Sequence, residues 1–401
     1  MKKLLFAAMV AGLAVGAQAQ TTFTQVWSLK TDVGGGPAWF QGGVGTASGA
    51  RAVRSAVVKA SSDKLLVVRR LSNTVAELRK LNPATGAELG DSPQPLVDQG
   101  TGTRWGTFCA NMIDTADDDV IYISNLSNLV SRIAIEPFIV FRMVNDTDTP
   151  TTALEITSFA GGTNPELGNI RLGDTLQAVG SGTATEIFAG VGHGQGVATT
   201  NEVVDLVRFT TTNGTDFSVA NAYALQDSAS PFTTLAPNRL GLAVFGSGAS
   251  AEVWGDSSGD NLFPRKYNLT TLDTVAGVGS AVYPMAFGHT GLGLTEVAGQ
   301  KLLVSAPGAY TSNAGYTAPL WNIDSALSAY VYNVTNAAAP TLVGKTEYLG
   351  NLVSGQYSVN ADGTSDVFFD ASRNNFGVVL VNSSISVHNF GSASVQDWNL
   401  F

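Results

Sequence analysis

Chemistry in a chain of 401 residues with three histidines and one cysteine has to come mainly from carboxylates. Three acidic groups stand out. Asp114, Asp117, Asp118 and Asp119 crowd ahead of an apolar run. Asp256 and Asp260 flank Ser257-Ser258-Gly259. Asp362, Asp366 and Asp370 recur every fourth residue, with Gly363 among them. Oxygen ligands on turns suit calcium, so Asp362, Asp366 and Asp370 are the candidate metal ligands and calcium the one cofactor suggested. None of the groups follows the spacing of a calcium loop, and aspartates closing their own turns are the simpler reading.

The other candidates surround glycines. His193 lies in Gly190-Val191-Gly192-His193-Gly194-Gln195-Gly196, and His289 in Phe287-Gly288-His289-Thr290-Gly291. Glycine lets a backbone approach a ligand closely. On the innermost strands of a ring, both histidines would face a central channel as acid-base or metal groups. The simpler reading is a polar side chain serving turn backbone. Trp105 is a third channel-lining candidate, because a tryptophan on a rim suits sugar or peptide. Packed between sheets it is core, as are Trp27, Trp39, Trp254, Trp321 and Trp398 on the preferred reading. The 190–196 run is no dinucleotide fingerprint, since its third glycine falls on Gln195 or Val197. No zinc-protease helix motif and no nucleophile elbow occur. Cys109, in Trp105-Gly106-Thr107-Phe108-Cys109-Ala110, reads as buried and inert, and a disulfide within the chain is excluded. No catalytic residue is assigned.

Short strands must position these groups. Lys64–Arg69, Val120–Ile123, Ile139–Val144, Leu240–Phe245, Lys301–Val304, Val367–Phe369 and Gly377–Val381 are brief and rich in β-branched residues. Turn residues bound most of them. One phrase recurs: a strand, then Asn or Thr, then a polar turn. It centres on Asn82, Asn145, Thr210, Asn268, Asn333 and Asn389, at spacings of 63, 65, 58, 65 and 56 residues. Six echoes at a period near 60 predict a single all-β propeller of four-stranded antiparallel blades, six blades preferred and seven next. The phrase is the hairpin from the third strand to the outermost one. The excess length falls in loops at 160–175, 226–238 and 306–320. Phe23–Leu29 is expected to close the ring on the blade holding Gly377–Val381, with Ser394–Trp398 the competing strand. Two β-sandwich domains are a weaker alternative. A membrane barrel is weaker still, because Val395, Asp397, Asn399 and Phe401 do not alternate as lipid-facing residues must.

Lys2 and Lys3, the apolar run Leu4–Val15 and Ala17-Gln18-Ala19 read as a secretory signal peptide over residues 1–19, cut near Ala19-Gln20. Residues 20–401 are then the single propeller domain, secreted into the periplasm or beyond the cell. No later run of eighteen apolar residues predicts a transmembrane segment. The expected mature chain carries 20 basic against 32 acidic residues, a net charge of −12. That balance repels phosphate backbones and excludes nucleic acid as a partner class. Charged residues make up 13% of the chain while 44% is hydrophobic, which excludes disorder.

Tyr330-Val331-Tyr332-Asn333-Val334-Thr335-Asn336 with Ala339-Pro340-Thr341-Leu342-Val343-Gly344, and Leu81-Asn82-Pro83-Ala84-Thr85-Gly86, resemble repeats of exported bacterial propellers. Gly355–Val367 and Arg104-Trp105-Gly106 resemble the exported family called domain of unknown function 4623. The resemblance implies a propeller and an outer or extracellular location. It transfers no catalytic residue. The functional expectation is therefore a non-catalytic exported propeller that binds or scaffolds a protein or glycan. The alternative is a hydrolase or lyase acting on a carbohydrate or lactone in the channel. Acidic or histidine side chains converging in the channel would favour the enzyme.

Overall fold

Leu65-Leu66-Val67-Val68 shows why the strands are apolar on both faces. Leu65 and Val67 pack toward one neighbouring sheet, Leu66 and Val68 toward the other. A sheet flanked on both sides cannot alternate apolar with polar residues, and a ring of such sheets follows. In the computed structural model, described for residues 21–30, 37, 39–40, 53–72, 74–96, 108–127, 137–156, 170–193, 206–223, 225, 240–257, 264–271, 274–278, 291–307, 328–347, 349, 365–380 and 384–391, six antiparallel sheets form that ring.

Blade 1 runs from Val53–Lys59 at the axis through Lys64–Arg70 and Ala76–Leu81 to Gln94–Leu96. Blades 2 to 5 begin at Phe108, Ile170, Leu240 and Gly291 and repeat the order. Blade 6 comprises Asp366–Asp370, Asn375–Leu380 and Ser384–Asn389, completed by Thr24–Lys30. The predicted closure is therefore present: Thr24 pairs with Asn389 and Lys30 with Ser384. Thr21–Thr22 extends further, running parallel to Thr341–Lys345 on the outer edge of blade 5. Trp27 donates its indole N–H to the Pro83 carbonyl of blade 1 at 2.8 Å. The N-terminal segment thus fastens three blades.

The recurring phrase falls on the expected hairpins in four blades, while Thr210 lies within the third strand of blade 3, Leu206–Thr211. Asn82, Asn145, Asn268 and Asn333 start hairpins from third to outermost strands, and Asn389 ends the third strand of blade 6. Asn82 Oδ1 accepts from the Ala84 amide, Asn268 Oδ1 from Thr270 and Thr271, and Asn333 Oδ1 from Thr335. Most of the expected loops at 160–175, 226–238 and 306–320, and all of Ser394–Trp398, lie outside the described residues.

Six apolar clusters form, one at each seam between adjacent blades. Trp27, Trp39 and Trp254 are buried in them, so the core reading holds for the described tryptophans. Trp321 and Trp398 lie outside the described residues. Cys109 is fully buried, and burial pushes its thiol up to about 11, which keeps it inert.

Charged side chains tie neighbouring blades together around the ring. Lys64 and the fully buried Lys80 share Asp91 and Asp146, tying blade 1 to blade 2. Asp119 accepts from the Ala60 and Ser61 amides of blade 1, while Asp117 and Asp118 accept from Gly180 and Gly182 of blade 3. Glu186 reaches the Gly248 amide, Glu252 reaches Lys301, and Arg373 of blade 6 returns to Asp63 of blade 1. The aspartates at 117–119 therefore serve turn and seam, as the simpler reading required. Among the described residues no helix is long and apolar enough to cross a membrane.

Candidate functional site

Innermost strands of blades 1, 2, 3, 5 and 6 enclose a channel cavity of about 180 Å³. Aliphatic and aromatic residues share its wall with Thr115, Gln177 and two carboxylates, Asp114 of blade 2 and Asp366 of blade 6. They are 252 positions apart in sequence.

Asp366 opens the innermost strand of blade 6 and is buried. Its Oδ2 accepts from Ser55 Oγ at 2.5 Å and from the Ala56 amide at 3.0 Å, both on blade 1. Its Oδ1 accepts from the Val367 amide at 2.9 Å. Burial pushes the carboxyl up to about 6, against the pull of those three donors. Asp114 has one donor fewer. Its Oδ2 accepts from the Ala178 amide of blade 3 at 2.7 Å, and its Oδ1 from Thr115 at 2.9 Å. Burial pushes it further, to about 8; the two amides oppose the rise, and the negative charges of Asp366 and Asp117 add to it. Asp114 meets the channel over part of its surface while protein surrounds the rest.

Burial thus raises both channel carboxyls, Asp114 further than Asp366, which has one donor more. A proton donor and an acceptor facing one cavity are the elements of general acid-base chemistry.

Asp366 was expected as a metal ligand and lies in the channel wall. Asp370 ends the same strand, roughly 13 Å away at 3.3 Å per residue, and its oxygens bind Ser372 and Arg373. Among the described residues no group of three His, Cys, Asp or Glu could hold a metal ion. His193 ends the second strand of blade 3, where its backbone pairs with Ile170, rather than an innermost strand. Asp362, Asp260, His289 and Trp105 lie outside the described residues. Asp256 is buried on the second strand of blade 4. The third histidine, His388, is fully buried beneath the closing strand, stacked on Phe376 with ring centroids 5.4 Å apart. Its Nε2 lies 3.1 Å from Ser386 Oγ, and burial lowers it to about 4.

Sequence reasoning grouped Asp114 with the turn aspartates and overlooked Ser55. Asp114 belongs instead to the innermost strand Phe108–Thr115, whose register against Ile121–Leu126 shifts between Phe108 and Met112. A carboxylate at an otherwise apolar strand position was the signal available, and the run of neighbouring aspartates masked it.

No protein-family model matches the sequence, and no curated protein matches it. Solved structures do share its fold. A DUF4623 family protein from Bacteroides eggerthii DSM 20697 superposes with a TM-score of 0.56 at 15% identity, covering 92% of this chain and 77% of that one. The Penicillium chrysogenum alpha-L-arabinanase, solved with arabinobiose, superposes with a TM-score of 0.52 at 11% identity, covering 92% of this chain and 98% of that one. At such identities the likeness is one of fold, and with the residues quoted above it makes the chain similar to the propellers of domain of unknown function 4623.

Proposed function

We propose that this protein is an exported hydrolase whose channel carboxylates act on a carbohydrate, Asp114 donating a proton and Asp366 serving as the base or nucleophile. The observation that carries the reading is that two buried carboxyls line one cavity with unequal donor sets, three for Asp366 and two for Asp114, and burial raises Asp114 further than Asp366. A neutral polyol suits a small channel that offers Thr115 and Gln177 beside this pair of carboxyls. The shared ring with an arabinanase supports the scaffold's capacity for such chemistry, not this substrate. The leader over residues 1–19 supports export, with cleavage near Ala19-Gln20.

The test is hydrolysis by the mature protein across chromogenic glycosides, soluble polysaccharides and aldonolactones. Expected is turnover with a bell-shaped pH profile bounded near the two carboxyl values, and a loss in kcat of at least about 100-fold in Asp114→Asn and in Asp366→Asn. Turnover that both variants retain would refute the roles. A second reading has its own observation: each carboxylate accepts an amide from the next blade, as a purely structural clip would. Glycan binding without turnover would favour that non-catalytic scaffold.

A further inference from the structure

Ser55 occupies an unusual position among the described polar residues. It belongs to the innermost strand of blade 1, is fully buried, and touches both neighbouring blades. Its Oγ accepts from the Ile113 amide of blade 2 at 3.1 Å and lies 2.5 Å from Asp366 Oδ2 of blade 6. An oxygen that accepts an amide has its own proton left to give. Two acceptors are within reach, Asp366 Oδ2 at 2.5 Å and the Ile113 carbonyl at 3.2 Å, and the shorter, charge-assisted bond wins. Asp366 Oδ2 then receives two donors, the Ser55 hydroxyl and the Ala56 amide. Asp114 receives backbone amides alone. Ile113, which orients the serine, immediately precedes Asp114, so one hydroxyl joins the Asp366 carboxylate to the backbone of the strand that carries Asp114.

We propose that Ser55 is a positioning residue that decides which channel carboxyl stays ionised: its hydroxyl, held by the Ile113 amide, stabilises the Asp366 carboxylate and leaves Asp114 to carry the proton. The inference deepens the hydrolase reading by assigning the acid and base roles. The charged groups acting on the pair are the two carboxyls themselves and Asp117, which sits beside Asp114.

The experiment follows the aspartate carboxyl carbons by NMR as the mature protein is titrated, in wild type, Ser55→Ala and Ser55→Thr. In wild type Asp366 should titrate at lower pH than Asp114. Losing a charge-assisted donor should raise the Asp366 midpoint by about one to two pH units in Ser55→Ala, toward that of Asp114, and Ser55→Thr should restore the order. An unchanged Asp366 midpoint, or an equal rise in both carboxyls, would overturn the proposal. Should Ser55→Ala fail to fold, wild type still decides: the Ser55 hydroxyl proton should exchange slowly and couple to Asp366, and a rapidly exchanging hydroxyl overturns the assignment. Protonation is read without turnover. Failure of the hydrolase reading, seen as no activity, is therefore distinguishable from failure of this one.

Discussion

Replacing Asp114 by asparagine should make the protein more stable at neutral pH. The unfolded carboxyl titrates near 3.8 and the folded one at about 8. A raised folded value favours folding fully below about 3.8, and that advantage is lost as pH climbs toward 8. At 1.36 kcal/mol per pH unit, the climb from 3.8 to 7 costs about 4 kcal/mol. Channel water reaching part of Asp114 makes this a ceiling. Asparagine keeps an acceptor for the Ala178 amide but weakens the Thr115 contact, a loss of about 1 kcal/mol. The variant should therefore exceed wild type by about 1–3 kcal/mol at pH 7, and the difference should vanish or reverse by pH 4. Urea unfolding of both proteins at pH 4, 5.5, 7 and 8 measures it. Only the difference between the curves matters, because other titrating groups cancel. A difference that stays flat across that range refutes the reasoning that Asp114 is a protonated, destabilising channel group.

Two further outcomes follow from buried geometry. His388 titrates near 6.5 when unfolded and at about 4 beneath the closing strand, so stability should fall by roughly 3 kcal/mol as pH drops from 6.5 to 4. His388→Gln should lose that acid limb in urea unfolding, while an identical limb in the variant would place the acid sensitivity elsewhere. Gly377 faces the Phe368 ring across its strand pair, and an added Cβ would overlap that ring. Gly377→Ala should cost about 1–3 kcal/mol in the same assay, with Phe368→Leu in the same chain recovering part of it.

Much of this architecture was legible because propellers repeat their turns. The Asn-led hairpins at Asn82, Asn145, Asn268 and Asn333 need polar side chains that close on their own backbone, and that demand survives in the sequence at each blade. Phe23–Leu29 was legible for a related reason: an apolar strand stranded before a Gly-rich segment needs a partner elsewhere. The channel was not legible. Its two carboxylates come from blades 2 and 6, and their meeting depends on closure of the whole ring. The run of aspartates blurs the one local difference between Asp114, on a strand and facing the axis, and Asp117, which accepts a turn amide on blade 3. Ser55 was hidden for the same cause, since its role consists entirely of contacts 58 and 311 positions away.

The closing segment carries a consequence for the order of events in folding. Thr21–Lys30 is made early, yet its partners, Thr341–Lys345 and Ser384–Asn389, are made late. No chain that stops short of these strands can finish the ring, so ring completion waits for the C-terminal part of the chain. A chain interrupted before Ser384 would leave Thr24–Lys30 without its partner strand.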